Sequence, residues 1–529
     1  MNDRMLRSLL TVAIAVAAVT ANNASVAEDK PIMKITSTTG EPIHSGKFEP
    51  TWESLKQYRC PEWFRDAKFG IWAHWGPQCQ PEQGDWYARG MYQEGSSQYK
   101  WHVAHYGDPA KFGFKDVIHE WKAQNWDPNK LMALYKRAGA QYFFALANHH
   151  DNFDNYNSKY QPWNSVNVGP KKDLIGGWAQ AARANGLRFG VSVHAAHAWS
   201  WYEPSQKFDG NLTKADGKGQ WWEGLDPADL YAQNHTPGTK LQWDWDATKG
   251  SSVPDAAYCQ KFYNRTVDLI NKYRPDLIYF DDTALPLWPV SDAGLKIAAH
   301  FYNSIPQGVL FGKVLNEEQR QCMTWDIERG ASNRIEPLPW QSDTCIGSWH
   351  YARSHFEKHD YKSARTVIHI LADIVSKNGN LLLSIPVRGD GTIDDDEVKV
   401  VEGIAQWMDV NRECIFGTRP WKVFGEGPAT EGAPIKAQGF NEGKGKPFTA
   451  EDVRFTTKGD TLYAIVLGVP TNSVQLKSLH DAHITGIQLL GSDEKIRWSR
   501  SDTALVIDPP QTKPASDAAI VFKISTLGL

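Results

Sequence analysis

Eleven residues, RPDLIYFDDTA at 274–284, set two acids at the end of a short apolar run. Leu277 to Phe280 read as a buried strand, and carboxylates at the end of such a strand must be hydrogen-bonded, paired or solvated in a cleft. Asp281 is therefore the candidate nucleophile. A glycosidic bond is cleaved between two carboxyl groups, one serving as nucleophile or base and the other as acid. Glu328, in TWDIERG, is the candidate for the second role, because it follows another short strand and has Trp325 as a neighbour. Glu317 and Glu336 compete for that role, and a loop pairing of Glu328 with Arg329 or Arg334 is the structural alternative. His74, His149, His150 and His194 also stand at or just beyond the ends of apolar runs. Imidazole suits zinc, and the pairs His149-His150 and His194/His197 invite a metallohydrolase. The HxH expected on the first strand of a barrel metallohydrolase is missing at Ala73-His74-Trp75, so hydrogen bonds to substrate hydroxyls are the better use of these rings. There is no CxxC among the six cysteines, and no GxSxG, P-loop or Rossmann fingerprint in a fitting context. The expected site needs no metal and no cofactor.

A repeating pattern positions these residues. In DPNKLMALYKRAGAQYFFALANHH, Asp127 caps and Pro128 opens a helix with Leu131, Leu134 and Tyr135 on one face. Gly139 ends the helix, and Tyr142 to Ala147 form a strand running into His149-His150. The next copy has a helix to Asn185-Gly186 and a strand from Leu187 to Val193 that reaches His194. The third is a helix from Pro254 to Tyr273 followed by the strand into Asp281. Further strands are predicted at Val309–Leu315, Met323–Ile327 and Asn380–Ile385, with a helix at Lys362–Val375 before the last of them and another at Glu397–Asn411 after it. Helix, glycine or proline stop, continuous apolar strand is the signature of βα units on a parallel sheet. About 350 residues of such units suit a (β/α)8 barrel, in which all the strand ends listed above would line one mouth; a doubly wound open sheet is the alternative. From Ile415 onward short alternating segments separated by Gly, Asp, Asn and Pro predict an all-β domain, a small sandwich.

Length and composition agree. A chain of 529 residues with 41% hydrophobic content exceeds the usual single domain. With 57 basic and 61 acidic residues, net −4, no nucleic-acid surface is expected. Trp is abundant at 23, in keeping with aromatic faces that stack on sugars. Arg4 and Arg7 before an apolar run, with small residues at Ser25-Val26-Ala27, read as an export signal over residues 1–27, which places the mature protein in the periplasm or outside the cell. No later stretch predicts a membrane span. The expected organisation is signal 1–27, irregular lead-in 28–60, barrel 61–414 and sandwich 415–529.

In combination, KFGIWAHWG at 68–76, DWY at 85–87, NHHDNF at 148–153, GPKKD at 169–173, GLRFGVSVH at 186–194, PDLIYFDD at 275–282, WDIERG at 325–330, WQSDTCIGSWHY at 340–351 and VSKNGNLLLSIPVRGDGTI at 375–393 resemble the α-L-fucosidases of glycoside hydrolase family 29. The resemblance spans roughly residues 60–420. It implies a retaining exo-glycosidase acting on fucosylated oligosaccharide or polysaccharide, with a (β/α)8-like barrel followed by a β-sandwich and no metal in the chemistry. It implies Asp281 as nucleophile, Glu328 as acid/base, His74, His149 and His150 as holders of fucose hydroxyls, and Trp86 and Tyr279 as family aromatics. Trp349 or Trp325 is the expected wall for the C6 methyl. Three positions depart from the pattern: Asp85 where many members have Glu, Gln341 where a WE pair is common, and His194 where Tyr or Ser is frequent. Asp85, one methylene shorter, is expected to tune which sugar or linkage is accepted, and the aromatic insertion from about Trp199 to Trp245 to wall the leaving-group side. An α-L-galactosidase, a transfucosidase and a non-catalytic glycan-binding protein are the alternatives.

Overall fold

The computed structural model describes residues 32–35, 41–233, 235–430 and 439–526; the export signal predicted at 1–27 lies outside them. Eight parallel strands, β1 Phe69–Ala73, β2 Tyr142–Asn148, β3 Arg188–Val193, β4 Leu277–Phe280, β5 Val309–Gly312, β6 Thr324–Glu328, β7 Trp340–Cys345 and β8 Gly379–Ser384, close into a barrel in chain order. Closure comes from β1, which pairs with β2 through Gly70↔Tyr142 and with β8 through Phe69↔Leu381. The open-sheet alternative is thereby excluded.

Local chemistry explains the elements. Asp127, Asp173, Asp255 and Ser363 each accept a backbone N–H from the first turn of the helix they precede, relieving donors that no helical carbonyl can reach. Helix Ala256–Tyr273 stops at Arg274, which turns left-handed at φ 46° just before β4. The barrel interior is divided. Trp72, Tyr142, Phe144, Leu277, Tyr279, Val309, Phe311 and Leu382 fill the side made by β1, β2, β4, β5 and β8. Gly70 and Gly190 make room for these rings, since a Cβ on Gly70 would lie 2.2 Å from Tyr142 and one on Gly190 2.8 Å from Phe144. On the other side β6 and β7 turn Asp326, Gln341 and Asp343 inward, all buried. The strand β7 was not predicted, and its polar inward face is the reason: WQSDTC offers no apolar run.

From Arg419 the chain is antiparallel. The strands β9 Arg419–Glu426, β10 Val453–Lys458, β11 Thr461–Val466, β12 Val474–Leu476, β13 Ile484–Leu489, β14 Trp498–Arg500, β15 Leu505–Ile507 and β16 Ile520–Thr526 form a five-stranded sheet ordered β13-β16-β11-β10-β9 and a three-stranded one ordered β12-β15-β14, which share a core that includes Trp421, Phe455, Leu462, Leu505 and Phe522. Six of these eight strands match predicted segments; β9 (Arg419–Glu426) and β14 (Trp498–Arg500) do not. The domain is bolted to the barrel. Arg454 pairs with Asp373 of helix Ala364–Ser376 at 2.6 Å, and the Trp407 indole N–H donates to Ala519 O at 2.9 Å. All six cysteines are unpaired thiols. Among the described residues no helix is long and apolar enough to cross a membrane.

Candidate active site

Asp281 is the most elaborately held carboxylate at the barrel mouth. Its Oδ2 receives His150 Nε2 from beyond β2 and His194 Nδ1 from beyond β3, each at 3.0 Å. Its Oδ1 is bonded by the Lys313 ammonium, just past β5, and the same ammonium bonds Glu328 Oε2. The side chains of Asp281 and Glu328 remain 21% and 18% accessible, so both open to the cleft. Burial alone would raise the Asp281 pKa, but Lys313, His194 and His150 outweigh it and hold the carboxyl well below its usual range. Glu328 goes the other way: burial and the Asp281 charge push it up against the pull of Lys313. Lys313 itself is kept charged by Asp281 and Glu328 despite its burial. Two neighbouring carboxyls driven apart in acidity are suited to opposite tasks, one as an anion and the other as a proton donor.

The two rival acids stand in different surroundings. Glu336 is buried in its own network with Ser332, Arg320 and Arg334 at 2.7, 3.3 and 3.2 Å. Glu317 is exposed on a loop. Arg329 pairs with Glu442 and Arg334 with Glu336, so the expected alternative of a loop ion pair for Glu328 is replaced by Lys313. Asp282, the second acid of the motif, is occupied by His197 Nε2 at 3.0 Å and by the Thr283 N–H.

Around the pair the structure gathers His74, His149, His150, His194, Trp86 and Trp349. The ring of His74 lies 5.1 Å from those of His149 and His194 and 5.5 Å from Trp349. Trp86 stands on the outer side, 6.4 Å from His150, with Trp201 and Trp243 of the aromatic insertion 5.7 and 6.1 Å away. Burial drives the pKa of His74 and His149 well below the imidazole norm, and that of His194 down to about 4. Tyr279 lies in the floor, 1% accessible, donating to Asp343 Oδ2 at 3.0 Å. Burial pushes Asp343 well up and Asp326 up to about 7. Trp325 does not join. It shares the outward face of β6 with Ile327, its N–H donates to Lys313 O at 2.9 Å, and the Arg320 guanidinium covers its ring at 3.4 Å. Strand alternation is the physical reason, because Glu328 faces in and a residue three before it faces out.

Sequence reasoning missed Lys313, His350, Gln78 and the acids beneath. Lys313 sits just past the end of β5 at Gly312, but the predicted strand Val309–Leu315 runs through it and hides the strand-end signal that singled out the histidines. His350 is fully buried, with Nδ1 2.6 Å from Asp85 Oδ1. Gln78 offers its amide to His149 Nδ1 at 2.9 Å. The donor atoms of His74, Asp85, His149 and His350 lie within 4.8 Å of one another, close enough to hold a cation. The Gln78 contact disfavours this, since Gln78 Oε1 accepts the Ala88 N–H at 3.2 Å and its amide nitrogen therefore faces His149. His149 Nδ1 accepts, leaving a hydrogen on Nε2, where a metal ligand needs a lone pair.

A segment of the second domain completes the site. Phe440 N–H donates to Glu328 O at 2.8 Å and Glu442 N–H to Arg329 O at 2.9 Å. Asn441 exchanges two side-chain hydrogen bonds with the Ala331 backbone at 2.9 and 3.0 Å.

Comparison with known proteins agrees with this geometry. Residues 35–413 match the family model for alpha-L-fucosidase, and residues 446–525 that for the alpha-L-fucosidase C-terminal domain. The chain is 28% identical to the human tissue alpha-L-fucosidase over 488 residues, 89% of each chain, and 27% identical to the bovine protein at the same coverage. A crystal structure of Thermotoga maritima alpha-fucosidase in complex with a mechanism-based inhibitor superposes with a TM-score of 0.68 at 26% identity, covering 90% of this chain and all of that one. With its eight-stranded barrel, its antiparallel second domain and a family match over most of its length, the chain belongs to the alpha-L-fucosidases and is a glycoside hydrolase.

Proposed function

We propose that this protein is an exported, retaining exo-α-L-fucosidase that removes terminal fucose from fucosylated oligosaccharide or polysaccharide. The observation that carries the retaining mechanism is the shared Lys313 ammonium. One ammonium touches both carboxylates only when they stand close, as the ~5–5.5 Å of nucleophile-plus-acid pairs requires and the ~6.5–9.5 Å of inverting pairs does not. In the first step Glu328 gives its proton to the glycosidic oxygen as Asp281 Oδ attacks the anomeric carbon; the C–O bond to the leaving group breaks and a fucosyl ester forms. In the second, the Glu328 carboxylate takes a proton from water, whose oxygen displaces Asp281 and restores the original configuration. His150 and His194 hold Asp281 in line. His74 and His149 meet the ring hydroxyls, and Trp349, 5.5 Å from Trp72, offers an apolar wall that suits a methyl at C6 better than a hydroxymethyl. Trp86 and Trp243 face the leaving group. Export rests on the predicted signal at 1–27.

The test is hydrolysis of 4-nitrophenyl α-L-fucoside by wild type and Asp281→Ala, with azide added to the mutant. Loss of roughly 10⁴-fold in turnover and return of activity as β-fucosyl azide are expected. Full activity in Asp281→Ala would remove the nucleophile assignment, and a wild type that turns over α-L-galactosides as well as fucosides would move the reading to the related galactosidase.

A further inference from the structure

Two histidines at the pocket have opposite polarity. His149 accepts at Nδ1 from the Gln78 amide, so its Nε2 carries hydrogen. His350 is the reverse: its Nδ1 lies 2.6 Å from Asp85 Oδ1, and a carboxylate only accepts, so Nδ1 carries the hydrogen and, in the neutral ring, Nε2 keeps a lone pair. That Nε2 sits in a side chain of 0% accessibility and has no protein partner. A buried acceptor without a donor is destabilising unless something supplies the donor. The rings of His74 and His149 are each 4.7 Å from His350, and all these polar atoms converge within 4.8 Å.

We propose that His350, oriented by Asp85, is a sugar-recognition residue whose Nε2 accepts the hydrogen of a fucosyl ring hydroxyl, Asp85 acting through the imidazole as a positioning residue. The inference rests on the fucosidase reading above. It accounts for the aspartate standing where glutamate is common in the family: the side chain is one methylene shorter, and the imidazole spans the remaining distance to the sugar. Beside it, the His149 Nε2–H donates. A donor and an acceptor side by side select a group that both accepts and donates, which a hydroxyl does, a fluorine does by half and a hydrogen does not at all.

The experiment compares kcat/KM for 4-nitrophenyl α-L-fucoside with analogues carrying fluorine in place of the 3- or the 4-hydroxyl, in wild type, His350→Asn, His350→Ala and the double variant Asp85→Glu/His350→Ala. Asparagine keeps a partner for Asp85 but offers no acceptor at the Nε2 position. At one of the two ring positions the hydroxyl-to-fluorine preference of the wild type is expected to fall by about tenfold in both single variants, and to return in the double variant, whose longer carboxylate reaches the vacated space. The inductive effect of fluorine is common to all four proteins and cancels between them. A loss of structure alone would depress every substrate equally. An unchanged preference in a folded His350→Asn or His350→Ala protein overturns the proposal while leaving the fucosidase intact; a wild type inert on every fucoside overturns the fucosidase reading and this inference with it.

Discussion

The two halves of the barrel mouth hold their carboxylates by different means. Asp281 is fixed from inside the barrel, by buried rings that follow β2 and β3 and by one ammonium past β5. Glu328 has that ammonium as a side-chain partner, and its backbone is tied to residues 440–442 of the second domain. The geometry of the proposed nucleophile is a property of one domain and that of the proposed acid of two. A retaining mechanism uses the first group once, as an anion, and the second twice, as acid and then as base, so the group that must change protonation state is the one held across both domains.

The largest effect that separates the halves is leaving-group dependence. With Asp281→Ala, turnover should collapse whatever the leaving group. With Glu328→Ala, hydrolysis of 4-nitrophenyl or sugar aglycones should fall about 10²–10⁴-fold, while 2,4-dinitrophenyl α-L-fucoside, whose leaving group needs no proton, should keep most of its first-step rate. Burst kinetics with both aryl fucosides read this directly. A Glu328→Ala enzyme equally impaired on both would show that Glu328 is not the acid.

Lys313 joins the halves, and its removal should be felt by both. Lys313→Met is expected to lower kcat/KM about a hundredfold. It should also move the pH profile upward as a whole. The acid limb follows Asp281, which must be ionised, and the alkaline limb follows Glu328, which must be protonated; the Lys313 charge pulls both groups down, so its loss raises both. A profile that shifted on the acid limb alone would mean that the ammonium serves only the nucleophile.

The same division governs what could be read from the sequence. On the side of Asp281, β1 to β4 are continuous apolar runs because both faces are buried, and each run ends at an ionisable residue, so strand, barrel and candidate site were legible together. On the acid side, β7 turns Gln341 and Asp343 toward the Tyr279 and Asp326 cluster, which erases the apolar run that reveals a strand. Trp325 looked like a pocket aromatic because adjacency in sequence ignores the alternation of strand faces. His350 lies in a loop between Trp349 and Tyr351, with no strand end to mark it, and its meaning depends on Asp85, 265 residues away. The tie from Asn441 to Ala331 spans 110 residues and two domains, and no local pattern encodes it.

The smallest effect, and the one that bears most directly on the second domain's part in catalysis, is expected from Asn441→Ala. The substitution removes both side-chain bonds to the Ala331 backbone while leaving the Arg454–Asp373 pair and the Trp407 contact that dock the domain. The domain should stay in place and only the end of β6 at Glu328 and the segment that follows it should loosen. Misplacing a catalytic acid by a fraction of an ångström costs rate without costing binding, so kcat for 4-nitrophenyl α-L-fucoside should fall about fivefold to tenfold with KM nearly unchanged, part of the ~2 kcal/mol that two neutral hydrogen bonds are worth. The loss of first-step rate, read from the burst, should shrink with the 2,4-dinitrophenyl substrate, because that step bypasses the acid. If the two substrates lose equally, the segment supports the whole mouth and the division between the halves is wrong; if neither loses, Lys313 alone is enough to aim Glu328.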